Sequence, residues 1–219
     1  MAGRPHATGA PGGALPARAP VRLVLASRSP QRRALLEQLS IPFRVMVSEH
    51  DEDVRDGDPA HTVQQNARGK AEDVLARADL QPGELVLGVD TVVVSGGEIL
   101  GKAEDAAQAA RYLRRLAARR HEVYSGLYLT SRKLAVANHV VTGVTFRSLT
   151  DADLAAYVAC GEWRDRAGGY AIQGIGSALV KHVEGDYFNV VGLPVAELLR
   201  LLAAFGVTPF GWLGAPATP

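Results

Sequence analysis

The sequence has one cysteine, few aromatic residues and almost no excess of charge. Cys160, the single cysteine among 219 residues, cannot form an internal disulfide, which predicts a reducing cytoplasm. It ends an apolar helical pattern without a basic neighbour, which predicts a buried structural thiol rather than a nucleophile. Lys plus Arg is 24 and Asp plus Glu is 23, so a net charge of +1 gives no indication of a nucleic acid partner.

Long apolar runs are also absent. No stretch approaches the ~20 apolar residues that a membrane helix needs, and we predict a soluble protein. Residues 1–20 lack the apolar core of a secretory signal and are rich in Pro and Gly, which predicts a disordered extension. Arg4 and Arg18, with no acidic residue in this segment, leave a transit peptide open. Residues 21–205 are predicted to form one domain, and residues 206–219 a flexible tail.

Strand and helix patterns alternate through the first half of the chain, which predicts an α/β fold. Apolar strands at 123–130 and 134–146 turn near Arg132 and predict an antiparallel pair, so the sheet should be mixed. Other strands are predicted at 21–25, 43–48 and 85–95. Helices are predicted from Pro30, from 58 to about 78, from about 105 to 118, from Thr150 to about Cys160, and from Pro194 to about Phe205.

The segment 21–39 joins a short buried strand directly to a helix start that carries anion-binding groups. Ser29 followed by Pro30 indicates an N-cap and a first helical position. Backbone N–H groups and the positive end of the helix dipole would face whatever lies beyond the carboxyl end of the strand. A phosphate site is one interpretation; a capped surface helix with solvated arginines is the other. The polar residues concerned are Ser27, Arg28, Arg32 and Arg33.

Asp90 ends the apolar run LVLGVD and is followed by another apolar run. Burying an ionised carboxylate without a partner costs several kcal/mol. Asp90 is therefore predicted either to be functional or to be a structural residue paired with an arginine or a backbone amide. The acidic residues at 49–53 form a cluster after the second predicted strand, and such a cluster alone usually belongs to a solvated loop.

The segment AGGYAIQGIG at 167–176 contains neither GxGxxG nor GK[ST], so it predicts no standard dinucleotide site or P-loop. Its glycines permit close backbone approach, and Gln173 lies among them. A glutamine amide can donate to one carbonyl and accept from an adjacent N–H, which fits the O4 and N3–H edge of uracil or thymine. The six histidines have no metal-ligand spacing.

Five segments together resemble the Maf family of nucleoside triphosphate pyrophosphatases, also known as septum-formation inhibitor proteins. They keep the family's order and spacing over about residues 23–202. The segments are VRLVLASRSPQRRALLEQL at 21–39, NARGKA at 66–71, GVDTVVV at 88–94, GK at 101–102, and GEWRDRAGGYAIQGIGSALVKHVEGDYFNVVGLPV at 161–195.

The resemblance implies a fold and an activity. The implied fold is a strongly curved mixed sheet flanked by helices, with two lobes around a central cleft as in Maf and ITPase-like proteins. The implied activity is hydrolysis of nucleoside triphosphates to monophosphate and pyrophosphate, closest to the dTTP/UTP branch. Removal of modified pyrimidine nucleotides in the cytoplasm, a homodimer, and no nucleic acid or membrane partner are the corresponding expectations.

The resemblance also implies the site residues. Asp90 corresponds to the catalytic carboxylate, with Glu52 as its partner, and Lys70 and Lys102 correspond to lysines that contact the phosphates. Two carboxylates and phosphate oxygens suit Mg²⁺ or Mn²⁺, so Glu52 and Asp90 are the predicted metal ligands. Predicted substrate-binding residues are Ser27, Ser29, Gln31, Arg32, Thr91, Asp165, Arg166 and Gln173.

Three positions depart from the family pattern. Ala103 stands where proline is common, and Arg166 stands where lysine is usual. Gln31 stands where the pyrimidine branch has arginine and the 7-methylguanosine triphosphate branch has tryptophan, which leaves base selectivity open. Two further alternatives are a nucleotide-binding regulator of cell division with little turnover and a nucleic-acid-binding module that uses the arginines of the first helix and of 111–120.

Overall fold

The computed structural model of the protein describes residues 21–52 and 57–213. The predicted extension at 1–20, the acidic residue Asp53 and the last part of the predicted tail, 214–219, lie outside the described residues. The first part of that tail packs on the domain. Trp212 is buried, and its indole N–H donates to the Leu39 carbonyl at 2.9 Å.

The described residues form seven strands and six α-helices. The strands are β1 (Arg22–Leu25), β2 (Phe43–Val45), β3 (Glu84–Ser95), β4 (Glu98–Leu100), β5 (Arg120–Thr130), β6 (Ala135–Phe146) and β7 (Val180–Glu184). The helices are α1 (Pro30–Gln38), α2 (Pro59–Arg77), α3 (Ala106–Leu116), α4 (Asp151–Cys160), α5 (Tyr187–Val191) and α6 (Val195–Ala204), and a 3₁₀ helix spans Gly174–Leu179.

The strands form one mixed sheet in the order β2-β1-β3-β5-β6-β7, with β4 paired to β3. Strand β1 runs parallel to β2 and β3, whereas β5, β6 and β7 are added as antiparallel neighbours. The predictions of an α/β fold and a mixed sheet are confirmed.

The sheet is not strongly curled, so the predicted strong curvature is wrong. The described residues do not show the two predicted lobes, which stay a prediction. Strong curvature is usually produced by bulges and kinks. Here β5 and β6 pair without interruption from Arg120↔Thr145 to Thr130↔Ala135, and the register shift recorded in the described sheet lies at Thr145/Phe146 beside β7.

One face of the sheet is covered by α2. Val24 and Val86 pack there against Ala71 and Val74. Gly88 of β3 permits the close approach, because a Cβ at this position would lie 2.0 Å from the Ala67 carbonyl oxygen. Helix α2 therefore lies directly against the middle of β3.

The opposite face carries two apolar clusters at different heights along the same strands. Val89 of β3 belongs to the cluster with α1 and α6, and Val93 belongs to the cluster with α3 and α4. Thr91 lies between them on the same face, since side chains alternate along a strand. A polar gap thus remains between the two clusters.

The predicted helix starts are confirmed. Ser29 caps α1, Asp58 caps α2, and Thr150 forms a capping box with Asp153 at α4. The prediction of a buried Cys160 is wrong, because the last turn of α4 leaves this side chain exposed. Among the described helices, none has the length and apolar character needed to cross a membrane.

Candidate active site

A cleft of about 780 Å³ opens beyond the carboxyl end of β1 and beside the middle of β3. In open α/β sheets this edge is the usual place for ligands. The structure brings all of the predicted site residues to this cleft. They are Ser27, Ser29, Gln31, Arg32, Glu52, Lys70, Asp90, Thr91, Lys102, Asp165, Arg166 and Gln173.

Asp90 is a buried carboxylate with two side-chain partners from α2. Its Oδ1 accepts from Lys70 Nζ at 2.6 Å, and its Oδ2 accepts from Asn66 Nδ2 at 3.0 Å. Asp90 is 5% exposed and Lys70 is 7% exposed. Burial alone would raise the pKa of Asp90, but Lys70, Asn66 and Arg32 outweigh it, so the pKa lies below the usual value. The carboxylate is therefore ionised at neutral pH and available as a proton acceptor or cation ligand.

Glu52 reaches the same ammonium group from the loop that follows β2. Its Oε1 lies 2.8 Å from Lys70 Nζ and 3.9 Å from Lys102 Nζ. Lys70 thus contacts both carboxylates that the family resemblance implies as metal ligands, although they lie 38 positions apart. Lys102 is largely exposed, and its ammonium can move toward a ligand without leaving a buried partner unsatisfied.

Arg32 is a buried guanidinium held by uncharged acceptors. Its Nε donates to the Gly192 carbonyl at 2.9 Å, and one Nη donates to Ser27 Oγ at 2.8 Å and to the Val89 carbonyl at 2.9 Å. The other Nη donates to Thr91 Oγ1 at 3.1 Å. Burial lowers its pKa, while Asp90 and Glu52 act in the opposite direction. Among the described residues no carboxylate is hydrogen-bonded to this cation, so an anionic ligand in the cleft would meet a fixed positive charge.

The N-terminus of α1 forms the wall beside Arg32. Ser29 Oγ accepts from the Arg32 backbone N–H at 3.5 Å and donates to Gln31 Oε1 at 3.1 Å. The Ser29 backbone N–H donates to Ser27 Oγ at 3.2 Å. Gln31 therefore keeps its carbonyl on the cap, and its amide N–H₂ is the part that can face a ligand.

The opposite wall comes from the glycine-rich segment. Asp165 has a positive φ of 58°, which is uncommon outside glycine, and lies beside Arg166. Arg166 is half-buried, and its Nε makes no hydrogen bond in the described part of the chain. Burial lowers the pKa of Arg166. Its guanidinium therefore retains a buried donor without a partner among the described residues, and the residue lines the cleft.

Gln173 occupies the position before the 3₁₀ helix and makes no side-chain hydrogen bond to cap it. Its side chain is exposed on the cleft. The loop around it is held from behind, because Glu162 accepts from the Ile175 and Gly176 backbone N–H groups at 3.0 and 2.9 Å. A positioned loop with an exposed amide can read the edge of a base.

Sequence reasoning missed the polar residues beneath the cleft. Ser125 Oγ lies 2.8 Å from Thr91 Oγ1, and Asn189 Nδ2 donates to the Val123 carbonyl at 3.0 Å and to Thr142 Oγ1 at 2.9 Å. Ser125, Thr142 and Asn189 are completely buried. The signal that was available is a serine inside the apolar β5 pattern, which a buried strand carries only with partners.

The donor set at Glu52 and Asp90 fits a hard divalent cation shared with a substrate. No cluster of three or more His, Cys, Asp or Glu side chains suited to a metal occurs in the ranges 21–52 and 57–213. Magnesium is commonly held by one or two carboxylates plus substrate phosphates, without a complete protein cage. Two carboxylates that converge on one ammonium group match that pattern.

Comparison with known proteins agrees with this geometry. The family pattern described as Maf-like protein matches residues 22–205. A protein of Deinococcus radiodurans named dTTP/UTP pyrophosphatase is 44% identical over 197 residues, covering 90% of this chain and 100% of the relative. Proteins with the same name from Moorella thermoacetica and Gloeobacter violaceus are 48% and 47% identical, over 87% and 84% of this chain and 98% and 96% of their own lengths.

Proposed function

This chain belongs to the family of Maf-like proteins, and we propose from that premise that it hydrolyses dTTP and UTP to the monophosphate and pyrophosphate. Water attacks the α phosphorus, the bond from the α phosphorus to the bridging oxygen breaks, and pyrophosphate leaves. The observation that carries the proposal is the junction of Glu52 and Asp90 on Lys70, beside the buried Arg32.

Asp90 is the proposed proton acceptor for the attacking water. Its pKa lies below the usual value because Lys70, Asn66 and Arg32 favour the charged form over the cost of burial, so the carboxylate is ionised before substrate enters. The geometry that a general base needs is a fixed carboxylate within hydrogen-bond reach of water. Lys70 and Asn66 fix it here.

The cations of the cleft are proposed to bind the triphosphate, which brings roughly four negative charges. Arg32 is preorganised by its carbonyl and hydroxyl partners, and the exposed side chain of Lys102 is proposed to contact the leaving pyrophosphate. Charge that develops on the leaving group in the transition state is stabilised by such positioned donors. Ser27, Ser29 and the first N–H groups of α1 position the phosphate tail.

Glu52 and Asp90 are the residues proposed to hold Mg²⁺ or Mn²⁺, which would supply polarisation of the α phosphate when bound. The same two carboxylates keep Lys70 in place before the substrate arrives. Their combined negative charge favours a cation over a bare phosphate at this point of the cleft.

The base is proposed to be a pyrimidine imide read by Gln173. An amide donates to O4 and accepts from N3–H of uracil or thymine, and Gln173 carries an exposed amide on a loop that Glu162 holds. Asp165 and Arg166 are proposed to contact the substrate from the same wall. We further propose that the protein removes modified pyrimidine nucleotides in the cytoplasm. We also propose that it forms a homodimer, which light scattering of the purified protein tests.

The test is hydrolysis of a nucleotide panel with Mg²⁺ or Mn²⁺, scoring pyrophosphate separately from orthophosphate. The panel contains dTTP, UTP, CTP, GTP, 7-methyl-GTP and modified uridine triphosphates. We expect pyrophosphate from the thymidine and uridine substrates. In Asp90→Asn we expect a loss of at least about 100-fold, since a general base typically contributes that much.

Asp79→Asn is the matched control, because Asp79 is an exposed carboxylate on the turn after α2 and lies outside the cleft. It should hydrolyse at the wild-type rate. Nucleotide binding without turnover in the wild type would overturn the proposal and favour a nucleotide-binding regulator. Preference for 7-methyl-GTP would overturn the assigned base.

A further inference from the structure

The loop at 47–52, which carries Glu52, is held to α2 by a stripe of residues spaced four apart. We propose that Gly69, Asp73 and Arg77 form a docking stripe that positions Glu52 at the cleft, and that Asp73 is a positioning residue of the site. The inference rests on the proposed function for its kinetic consequence, whereas the docking itself is independent of it.

Asp73 binds the start of the loop through two hydrogen bonds. Its Oδ2 accepts from Ser48 Oγ at 2.9 Å and from the Glu49 backbone N–H at 2.9 Å. The Ser48 hydroxyl oxygen also accepts from the His50 backbone N–H at 3.0 Å. One carboxylate therefore organises two successive backbone amides of a segment that has no helix or strand of its own.

Arg77 supports Asp73 and contacts the loop directly. One Nη donates to Asp73 Oδ2 at 2.7 Å and to the Val47 carbonyl at 3.1 Å. The Nε donates to Asp73 Oδ1 at 3.2 Å, so the pair is bidentate. A guanidinium has the planar fork that this arrangement needs.

Gly69 makes room for the far end of the loop. A Cβ at this position would lie 2.3 Å from the nearest ring atom of His50, so the imidazole rests on the bare helix backbone. A glycine inside a helix is less favourable than an alanine. Gly69 is thus an unfavourable residue within α2, and it lies at the helical turn that packs against the loop.

The three contacts together fix Glu52. Lys70 follows Gly69 on the helix, and its ammonium group meets Glu52 Oε1 at 2.8 Å. The loop before Glu52 is held to α2 at Val47, Ser48 and His50 before any ligand binds. The loop therefore loses less conformational entropy when a cation or substrate binds. Through the docking stripe, the Asp73–Arg77 ion pair on the surface of α2 thus influences the position of Glu52 in the cleft.

The test compares Asp73→Asn with Glu72→Gln in the full-length protein. Glu72 is a matched control, because it forms an i,i+4 ion pair with Arg68 at 2.8 Å on the same helix, and no hydrogen bond or ion pair joins it to residues 47–52 in the described structure. Hydrogen exchange of the loop amides is measured without nucleotide or metal. The Mn²⁺ concentration for half-maximal activity and kcat/KM for dTTP are measured on the same samples.

For Asp73→Asn we expect faster exchange of the Glu49 and His50 amides. We also expect a half-maximal Mn²⁺ concentration raised about tenfold and kcat/KM lowered about tenfold or more, as for other residues that orient metal ligands. Glu72→Gln should match the wild type in all three measurements.

Unchanged amide exchange in Asp73→Asn would overturn the docking, and faster exchange with wild-type kinetics would overturn the positioning role. Absence of hydrolysis by the wild type would instead count against the proposed function, while the exchange result still tests the docking.

Gly69→Ala provides a second variant in which stability and activity should separate. Alanine is more favourable than glycine inside a helix, so the free energy of unfolding should not fall, while the added Cβ displaces the His50 ring. We expect the half-maximal Mn²⁺ concentration to rise as in Asp73→Asn. Wild-type Mn²⁺ dependence with an unchanged loop would exclude Gly69 from the docking stripe.

Discussion

Lys70 Nζ and Asp90 Oδ1 lie 2.6 Å apart, and both side chains are buried between α2 and β3. Gly88, two residues before Asp90, lets α2 approach β3 closely enough for this contact. Glu52 shares the same ammonium group. The net charge of the three side chains is −1, which suits the proposed binding of a divalent cation together with a polyphosphate.

Replacing Lys70 should destabilise the fold through Asp90. In Lys70→Met the carboxylate loses its ion pair while it stays buried, and removing one partner of a buried pair costs about 3 to 5 kcal/mol. Adding Asp90→Asn removes the unpaired charge, so the double variant should recover most of that loss. Urea unfolding of the two single variants and the double variant measures this. Equal stability of Lys70→Met and the double variant would show that Asp90 finds another cation.

Arg32→Lys should lower kcat/KM by about 100-fold through lost positioning, although the charge is kept. A lysine ammonium cannot replace a planar guanidinium that reaches Ser27, Thr91 and two carbonyl groups at once. Arg33→Lys is the control, because Arg33 is the next residue on α1 and is exposed. Steady-state kinetics with dTTP compares them. Equal kcat/KM values for the two variants would mean that the fixed geometry of Arg32 contributes nothing to turnover.

His121 should make the fold less stable in acid. The imidazole is 2% exposed, and burial, with a smaller effect of Arg120, lowers its pKa from 6.5 to about 4. The unfolded state therefore binds the extra proton below pH 6.5. The free energy of unfolding falls between pH 6.5 and pH 4, by up to about 3 kcal/mol from this group.

His121→Phe keeps an aromatic ring against Phe146 and removes the titration. It loses the 2.9 Å hydrogen bond to the Tyr170 hydroxyl, so at pH 7 the variant should be less stable by about 1 to 2 kcal/mol. Because only the wild type loses stability on protonation of His121, the difference should shrink or reverse at pH 4.5. Urea unfolding at pH 4.5, 5.5 and 7 measures it, and parallel pH profiles would contradict the assignment.

The local signals in the sequence were sufficient for most helices and strands. Ser29 with Pro30, and Thr150 with Asp153, act within one helical turn, so their caps are readable without the fold. Asp90 stood out because a charge within an apolar run needs an explanation. Elements of five residues, such as β7 and α5, escaped prediction because they are too short to show a period.

Contacts between distant segments could not be predicted in this way. Lys70 has the pattern of a solvated helical lysine, and its burial depends on Gly88 and Glu52, which are distant in sequence. Asp73 likewise has a local partner in Arg77, and its loop contacts lie 24 and 25 positions away. The sheet lacks strong curvature where β5 and β6 pair regularly, and no local sequence pattern indicates that pairing register.

Gln173→Glu should change base preference. A carboxylate accepts from N3–H of uracil or thymine but repels O4, whereas it suits the two adjacent donors of guanine. A site that loses one hydrogen bond and gains a repulsion should discriminate by at least about tenfold. We therefore expect kcat/KM for UTP to fall by about tenfold or more, and the ratio of GTP to UTP turnover to rise.

Gln31→Glu is the charge-matched control, since it adds the same charge to the same cleft on the α1 side. It should slow all nucleotides similarly, because an added negative charge repels any triphosphate. The nucleotide panel run with both variants decides the point. If the ratio of GTP to UTP turnover rises in both variants, the change in preference is caused by charge rather than by base recognition. If it rises in Gln31→Glu alone, the base is recognised at the α1 wall instead of by Gln173.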